Sequence, residues 1–86
     1  MPEISRFFGI VIQMYYNDHE PAHFHVRYAE QRGLLSIEDL SILRGSLSLR
    51  VLGLVREWAT IHRDELRQDW ELARAEAELR PIPPLD

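Results

Sequence analysis

The stretch His23-Phe24-His25-Val26-Arg27-Tyr28 alternates polar and apolar side chains without interruption. Because successive side chains of a β-strand point to opposite faces of the sheet, this alternation predicts a strand over residues 23–30. The apolar members are expected to face a hydrophobic core: Phe24, Val26 and Tyr28. The polar members are expected to face the opposite side of the sheet: His23, His25 and Arg27.

Strand-forming residues flank this stretch on both sides. Residues 7–16 are mainly β-branched and aromatic, with Gly9 as the only weak point, which predicts one long strand. Residues 31–33 have the composition of a turn. Two shorter strands are predicted after it, over residues 34–38 and 40–44, and Gly45 is expected to close the second.

An amphipathic helical region follows the strands. Ser48 is a suitable N-cap, and apolar residues recur at helical spacing from Val51 through Trp58 and on to Trp70. The centre of this apolar stripe rotates along the way, so we expect a bend or break near residues 63–64. Asp64 is then a candidate N-cap for a second helix.

These elements predict an α+β fold. We expect a small antiparallel β-meander of about four strands, packed on one face by one or two C-terminal helices. Residues 1–86 are too few for two domains and are predicted to form one. Residues 80–86 contain three prolines and are expected to form an extended tail.

The composition excludes several classes of function. The formal net charge is −4 and every basic residue other than histidine is arginine, so any contact with nucleic acid has to be local. The absence of cysteine excludes disulfides and thiolate metal sites. The sequence shows neither a secretory signal nor an apolar run of the roughly 18–20 residues that a membrane span needs, so we expect a cytoplasmic protein without membrane contact.

The densest group of chemically active residues is Asp18-His19-Glu20-Pro21-Ala22-His23-Phe24-His25. On a strand, His23 and His25 place both rings on one face with backbones roughly 6.6–7 Å apart. This geometry suits two imidazole ligands to one divalent metal such as zinc. Asp18, His19 or Glu20 from the preceding loop would complete the shell.

Two other interpretations of the same residues remain open. His23 and His25 could act as a general acid–base pair, with Arg27 holding a phosphate beside them. Alternatively, the cluster is a solvated strand end without a chemical role. The fourth histidine, His62, lies on the apolar helical stripe and is expected to be a packed core residue.

Four long stretches of the chain resemble one known family, the bacterial domain of unknown function 4160. The resemblance rests on residues 2–10 (PEISRFFGI), 18–26 (DHEPAHFHV), 58–66 (WATIHRDEL) and 70–74 (WELAR). It implies a small cytoplasmic protein that is often encoded beside a second small protein. The chain thus resembles one half of a two-gene toxin–antitoxin module, and more specifically the toxin.

The leading hypothesis is a toxin-like protein that acts on RNA. His23 and His25 would be its acid–base pair or its metal ligands, and Arg27 would hold the phosphate. The competing hypothesis is a non-enzymatic module in which the histidine loop and residues 82–85 contact a partner protein, or the histidines bind a structural metal. The lack of net positive charge favours the second hypothesis, whereas the histidine cluster and the family context favour the first.

Overall fold

The computed structural model describes residues 2–86, which form a five-stranded sheet followed by two helices. The elements are β1 (Glu3–Phe7), β2 (Ile10–Gln13), β3 (His23–Tyr28), β4 (Gln31–Ser36), β5 (Ile42–Ser46), α1 (Leu49–Ile61) and α2 (Arg63–Arg74). The strands lie in the order β1-β2-β3-β4-β5, and each pairs antiparallel with its neighbours. The predicted α+β meander is therefore confirmed, with five strands where about four were expected.

The additional strand arises because the predicted strand over residues 7–16 is broken by a turn. Phe8 and Gly9 both have positive φ angles, 52° and 80°, and join β1 to β2 in a two-residue hairpin loop. Such a loop follows the right-handed twist of its strands. The prediction of one long strand was therefore wrong. The turn was missed because an aromatic residue such as Phe8 rarely adopts a positive φ and so gives no turn signal.

The predicted turn over residues 31–33 was also wrong, because the chain reverses two residues earlier. Ala29 has a φ of 52°, and β4 begins at Gln31. Gly33 serves close packing instead of a turn, since a Cβ atom there would lie 3.0 Å from Leu47 Cγ. Gly45 lies inside β5, with a φ of 88°, and a Cβ atom would meet the carbonyl oxygen of Arg32.

The start of α1 and the break between the helices lie close to where the sequence predicts. The Ser48 hydroxyl accepts a hydrogen bond from the Val51 N–H at 3.3 Å, as expected of an N-cap. His62 separates α1 from α2, but the predicted capping role of Asp64 was wrong because it lies inside the first turn of α2. Within residues 2–86, neither helix is long and apolar enough to cross a membrane.

The core lies between the helices and one face of the sheet. Phe24 is fully buried, and its ring lies 6.0 Å from that of Trp58, which also contacts Phe7 at 5.3 Å. Trp70 is buried as well. The predicted orientation of Phe24 and Val26 toward the core is therefore confirmed, and Tyr28 is half-buried against it.

Three hydrogen bonds to backbone groups of residues 80–83 hold the C-terminal residues against this core. The Arg80 N–H donates to Asp69 Oδ1 at 2.9 Å, the Ile82 N–H to the Ile4 carbonyl at 2.7 Å, and the Trp58 indole N–H to the Pro83 carbonyl at 2.8 Å. Ile82 is consequently buried. Its side chain is not available as an exposed contact for a partner.

Replacing Trp58 with alanine should lower the free energy of unfolding by about 3–5 kcal/mol, because it empties the centre of the core. Trp58→Phe keeps most of the apolar volume and loses only the hydrogen bond to Pro83, so its loss should be clearly smaller. Urea unfolding, monitored by circular dichroism, measures the free energy of unfolding of both variants and of the wild type. Equal stability of Trp58→Ala and the wild type would contradict the central role of Trp58.

The buried carboxyl of Asp69 predicts a specific pH dependence of stability. Asp69 is 1% exposed, and among the described residues its Oδ2 has no hydrogen-bond partner. Burial raises the pKa of Asp69, more than the Arg80 N–H lowers it. The native state therefore holds this proton at pH values where the unfolded chain, with a pKa of about 3.9, has released it.

The contribution of Asp69 to stability should accordingly fall as the pH rises from about 4 through its folded pKa and should not recover above it. Asp69→Asn keeps an oxygen for the Arg80 N–H but cannot ionise, so the variant should lack this part of the fall. The free energy of unfolding is compared for both proteins at acidic and neutral pH. A difference between variant and wild type that is independent of pH would show that Asp69 does not titrate in this way.

Candidate metal centre

The loop between β2 and β3 returns Asp18 to the start of β3, where it meets two histidines. Asp18 Oδ2 lies 3.0 Å from His23 Nε2 and 3.1 Å from His25 Nε2. One ligand atom from each of these three side chains falls within 4.8 Å of the others. The fold thus brings together three of the residues that the sequence indicates as metal ligands.

Contacts with α2 and with Glu76 just after it hold this loop in place. The Asn17 N–H donates to the Ala73 carbonyl at 3.3 Å, and the Asn17 side chain donates to Glu76 Oε2 at 2.7 Å. Glu20 forms an ion pair with Arg74 at 2.9 Å. The carboxylate of Asp18 is oriented by the His19 N–H, which donates to its second oxygen, Oδ1, at 2.8 Å.

The two histidines lie on the strand face that alternation predicts, but they differ in exposure. His23 is only 5% exposed, because the loop and the ring of Trp70, at 5.2 Å, cover it. His25 is half-buried, and the ring of Tyr15 packs nearly perpendicular to it, with the ring centroids 4.3 Å apart. Aromatic side chains therefore fix the orientation of both imidazoles.

Hydrogen bonding determines the tautomer of His23. Its Nδ1 lies 2.7 Å from the Pro21 carbonyl oxygen, which can only accept a hydrogen bond, so Nδ1 carries a proton. In neutral His23, Nε2 then bears a lone pair and faces the carboxylate of Asp18. Two acceptors at 3.0 Å repel each other unless a proton or a cation lies between them. A backbone carbonyl that accepts from the other ring nitrogen is also the usual outer partner of a metal-bound histidine.

The protonation of the other two residues suits a cation. Burial would raise the pKa of Asp18, but hydrogen bonds from His25 and from the His19 N–H, together with the charge of His23, hold it below its ordinary value. Burial lowers the pKa of His25 by more than its hydrogen bond to Asp18 raises it. Near neutral pH the cluster therefore contains an ionised carboxylate and a neutral imidazole, and the proton that His25 donates to Asp18 has to move from Nε2 to Nδ1 before Nε2 can bind a metal.

Two of the three separations between ligand atoms are close to those of a tetrahedral zinc site. With metal–ligand bonds of about 2.0–2.1 Å, neighbouring ligand atoms lie about 3.3 Å apart. The two oxygen–nitrogen distances here are 3.0 and 3.1 Å, and all three ligand atoms lie within 4.8 Å of one another, so side-chain rotations would bring them onto one ion. Two imidazoles and one carboxylate form a donor set that zinc accepts readily.

The remaining residues that the sequence indicates do not join the three ligands. The side chain of His19 is exposed and is not a member of the group, and Glu20 is engaged by Arg74. His62 lies on the helical part of the chain, where its Nδ1 contacts Glu65 Oε1 at 2.5 Å and its ring lies 5.8 Å from that of Trp58.

Arg27 lies beside the cluster, on a concave part of the uncovered sheet face. A cavity of about 440 Å³ is bordered there by His25 and Arg27, and also by Arg32 and Arg44. Sequence reasoning missed Arg32 because it placed this residue in a turn. With the turn at residues 29–30, alternation along β4 places Arg32 and Leu34 on one face of the sheet. Leu34 is the cross-strand partner of His25, so this is the face that carries the histidines.

Comparison with known proteins identifies a family but no characterised relative. The model of the family described as Domain of unknown function (DUF4160) matches residues 9–71, well over half of the chain. No curated protein and no solved structure matches. The matched range contains all three residues of the cluster.

The geometry predicts that the protein binds one zinc ion per chain. Asp18→Asn and His25→Ala should each weaken zinc binding by at least about tenfold, because each removes one of three ligands. His19→Ala removes a neighbouring imidazole outside the cluster and should bind zinc as the wild type does. Isothermal titration with a competing chelator measures the affinities, and circular dichroism verifies the fold. Equal loss in His19→Ala, or none in His25→Ala, would refute this ligand set.

Proposed function

We propose that the chain, which belongs to the family described as Domain of unknown function (DUF4160), cleaves phosphodiester bonds in RNA at a divalent metal held by Asp18, His23 and His25. In the cell it would be the toxin of a two-gene toxin–antitoxin module, and its partner would be a small protein encoded by a neighbouring gene. The observation that carries the proposal is a three-ligand cluster that opens toward an arginine-lined cavity.

The number and exposure of the ligands favour a catalytic metal over a structural one. Structural zinc sites usually have four protein ligands, whereas catalytic sites have three and leave a position for water or substrate. The cluster supplies three, and the Asp18 and His25 side chains remain 20% and 22% exposed. A small cavity of about 200 Å³ bordered by Asp18 and His23 also reaches the cluster from the solvent.

A metal at this position would polarise a phosphate oxygen and lower the pKa of a bound water to near 7. Arg27 lies in the neighbouring cavity, with His25 in its wall, and its charge would stabilise the negative charge that builds up on the phosphate during attack. The buried ring of Trp70 would hold the imidazole of His23, and the ring of Tyr15 would hold that of His25.

The competing function is a non-enzymatic module in which the metal is structural. It is favoured by the way Asp18 joins the loop to β3, since a metal there would fasten two segments together. The two functions differ in what removal of the metal does. A structural metal stabilises the fold, whereas a catalytic metal is required for cleavage even while the fold persists.

Expression of the wild type alone should arrest growth, and the purified protein should cleave total RNA. Asp18→Asn and His25→Ala should abolish both effects with little change in melting temperature, because neither side chain belongs to the hydrophobic core. The matched controls, His19→Ala and His62→Ala, should remain as toxic as the wild type. Toxicity that persists in His25→Ala would disprove a reaction centre at this cluster.

Chelation of the wild type separates the possible roles of the metal. Cleavage should stop while the circular dichroism spectrum stays native, and zinc or another divalent ion should restore it. If chelation unfolds the protein, the metal is structural. If cleavage resists chelation yet disappears in His25→Ala, the histidines act as a metal-free acid–base pair. Either of these results would contradict the proposed metal-dependent reaction.

A further inference from the structure

Three arginines lie on adjacent strands of the uncovered sheet face. Arg27 on β3 and Arg32 on β4 are direct cross-strand partners. Arg44 on β5 pairs with Leu34, which in turn pairs with His25, so Arg44 lies on the same face and diagonal to Arg32. The strand register therefore places three guanidinium groups around one end of the candidate metal centre.

These arginines form no ion pair with another described residue, and only the more distant Glu3 interacts with the charge of Arg27. Among the described residues, none of the three has a salt-bridge partner, although Arg32 donates to the carbonyl oxygens of Ala29 and Gln31 at 3.4 Å. Glu3, in the same cross-strand row as His25, is paired with Arg6 at 2.7 Å. Like charges directly opposite each other destabilise a sheet, so the Arg27–Arg32 pair has a cost that a bound anion would offset.

The arginine face is continuous with the metal centre. Arg27, Arg32 and Arg44 border the cavity of about 440 Å³ whose wall includes His25 and Tyr15. Arg44 also borders the smaller cavity that reaches Asp18 and His23. A chain of phosphates lying across the three arginines would therefore pass directly beside the three ligands.

We infer that this face, formed by Arg27, Arg32 and Arg44, binds the phosphate backbone of single-stranded RNA and presents one phosphodiester to the metal. The inference deepens the proposed function and rests on it for the position of the reacting phosphate. Guanidinium groups bind phosphate oxygens with two hydrogen bonds each, and Tyr15 offers an aromatic ring on which a base can stack. Charge complementarity is local, which reconciles RNA binding with a net charge of −4.

Binding is measured by fluorescence anisotropy with a labelled, short 2′-O-methyl oligoribonucleotide in the presence of a chelator, so that neither a 2′-hydroxyl nor a metal-bound water can cleave it. Arg27→Gln, Arg32→Gln and Arg44→Gln should each weaken binding roughly fivefold and make the slope of log affinity against log salt shallower by about 0.7, the value for one lost contact to a single strand. The matched control is Arg50→Gln, which removes the same charge from an exposed position on α1. It should bind as the wild type does.

An equal loss of affinity in Arg50→Gln, or no loss in the three variants of the arginine face, would overturn the inference. Inorganic phosphate provides a second probe. If it displaces the oligonucleotide at a concentration close to the dissociation constant of the oligonucleotide, the face binds a small phosphate compound and the assignment to RNA is wrong. Displacement only at far higher concentrations supports a polymeric ligand, because several phosphates then bind together.

The assay separates failure of this inference from failure of the proposed function. Binding of the oligonucleotide is measured in the absence of metal, so the contacts of the three arginines are scored separately from the reaction centre. If the arginine variants lose binding while His25→Ala retains RNA cleavage, the binding face stands and the proposed reaction centre fails. If the arginine variants bind normally while His25→Ala loses cleavage, the proposed reaction centre stands and the binding face fails.

Discussion

Strand β3 constrains the whole molecule, because its side chains pack into the core on one face of the sheet and form the candidate site on the other. Phe24 and Val26 are buried beneath the helices, whereas His23 and His25, which alternate with them, point to the other face. A shift of one residue in the pairing of β3 would exchange these two faces. The apolar contacts of Phe24 with Trp58 therefore also determine where His23 and His25 point.

The loop before β3 completes the site only because it is attached to the second helix. Asn17 bonds to Ala73 and Glu76, and this attachment returns Asp18 over the two histidines. Trp70, on the same helix, both fills the core and covers the ring of His23. A small protein can build a partly buried polar cluster in this way, since residues that stabilise the fold also exclude water from the ligands.

Sequence periodicity predicted much of the fold, and physical reasons explain what it missed. The alternation in β3 and the apolar helical stripe that includes Trp58 and Trp70 are strong local signals. In the structure Phe24 and Val26 of β3 and both tryptophans are buried, as predicted. The turns at Phe8 and Ala29 were missed because both residues adopt positive φ without glycine's freedom. Spacing predicted the pair His23 and His25 but left the third ligand open among Asp18, His19 and Glu20. Arg32 was missed because the turn before β4 was misplaced, and the position of Arg44 depends on long-range strand register that local patterns do not encode.

The central claim is that Asp18, His23 and His25 together hold one metal ion with a position left open. X-ray absorption spectroscopy at the zinc edge of the zinc-loaded protein tests it most directly. The spectrum should show nitrogen and oxygen neighbours at about 2.0–2.1 Å, with the outer-shell scattering of two imidazoles. The scattering of one imidazole should disappear in His25→Ala. A spectrum without imidazole scattering, or one unchanged by His25→Ala, would contradict the claim.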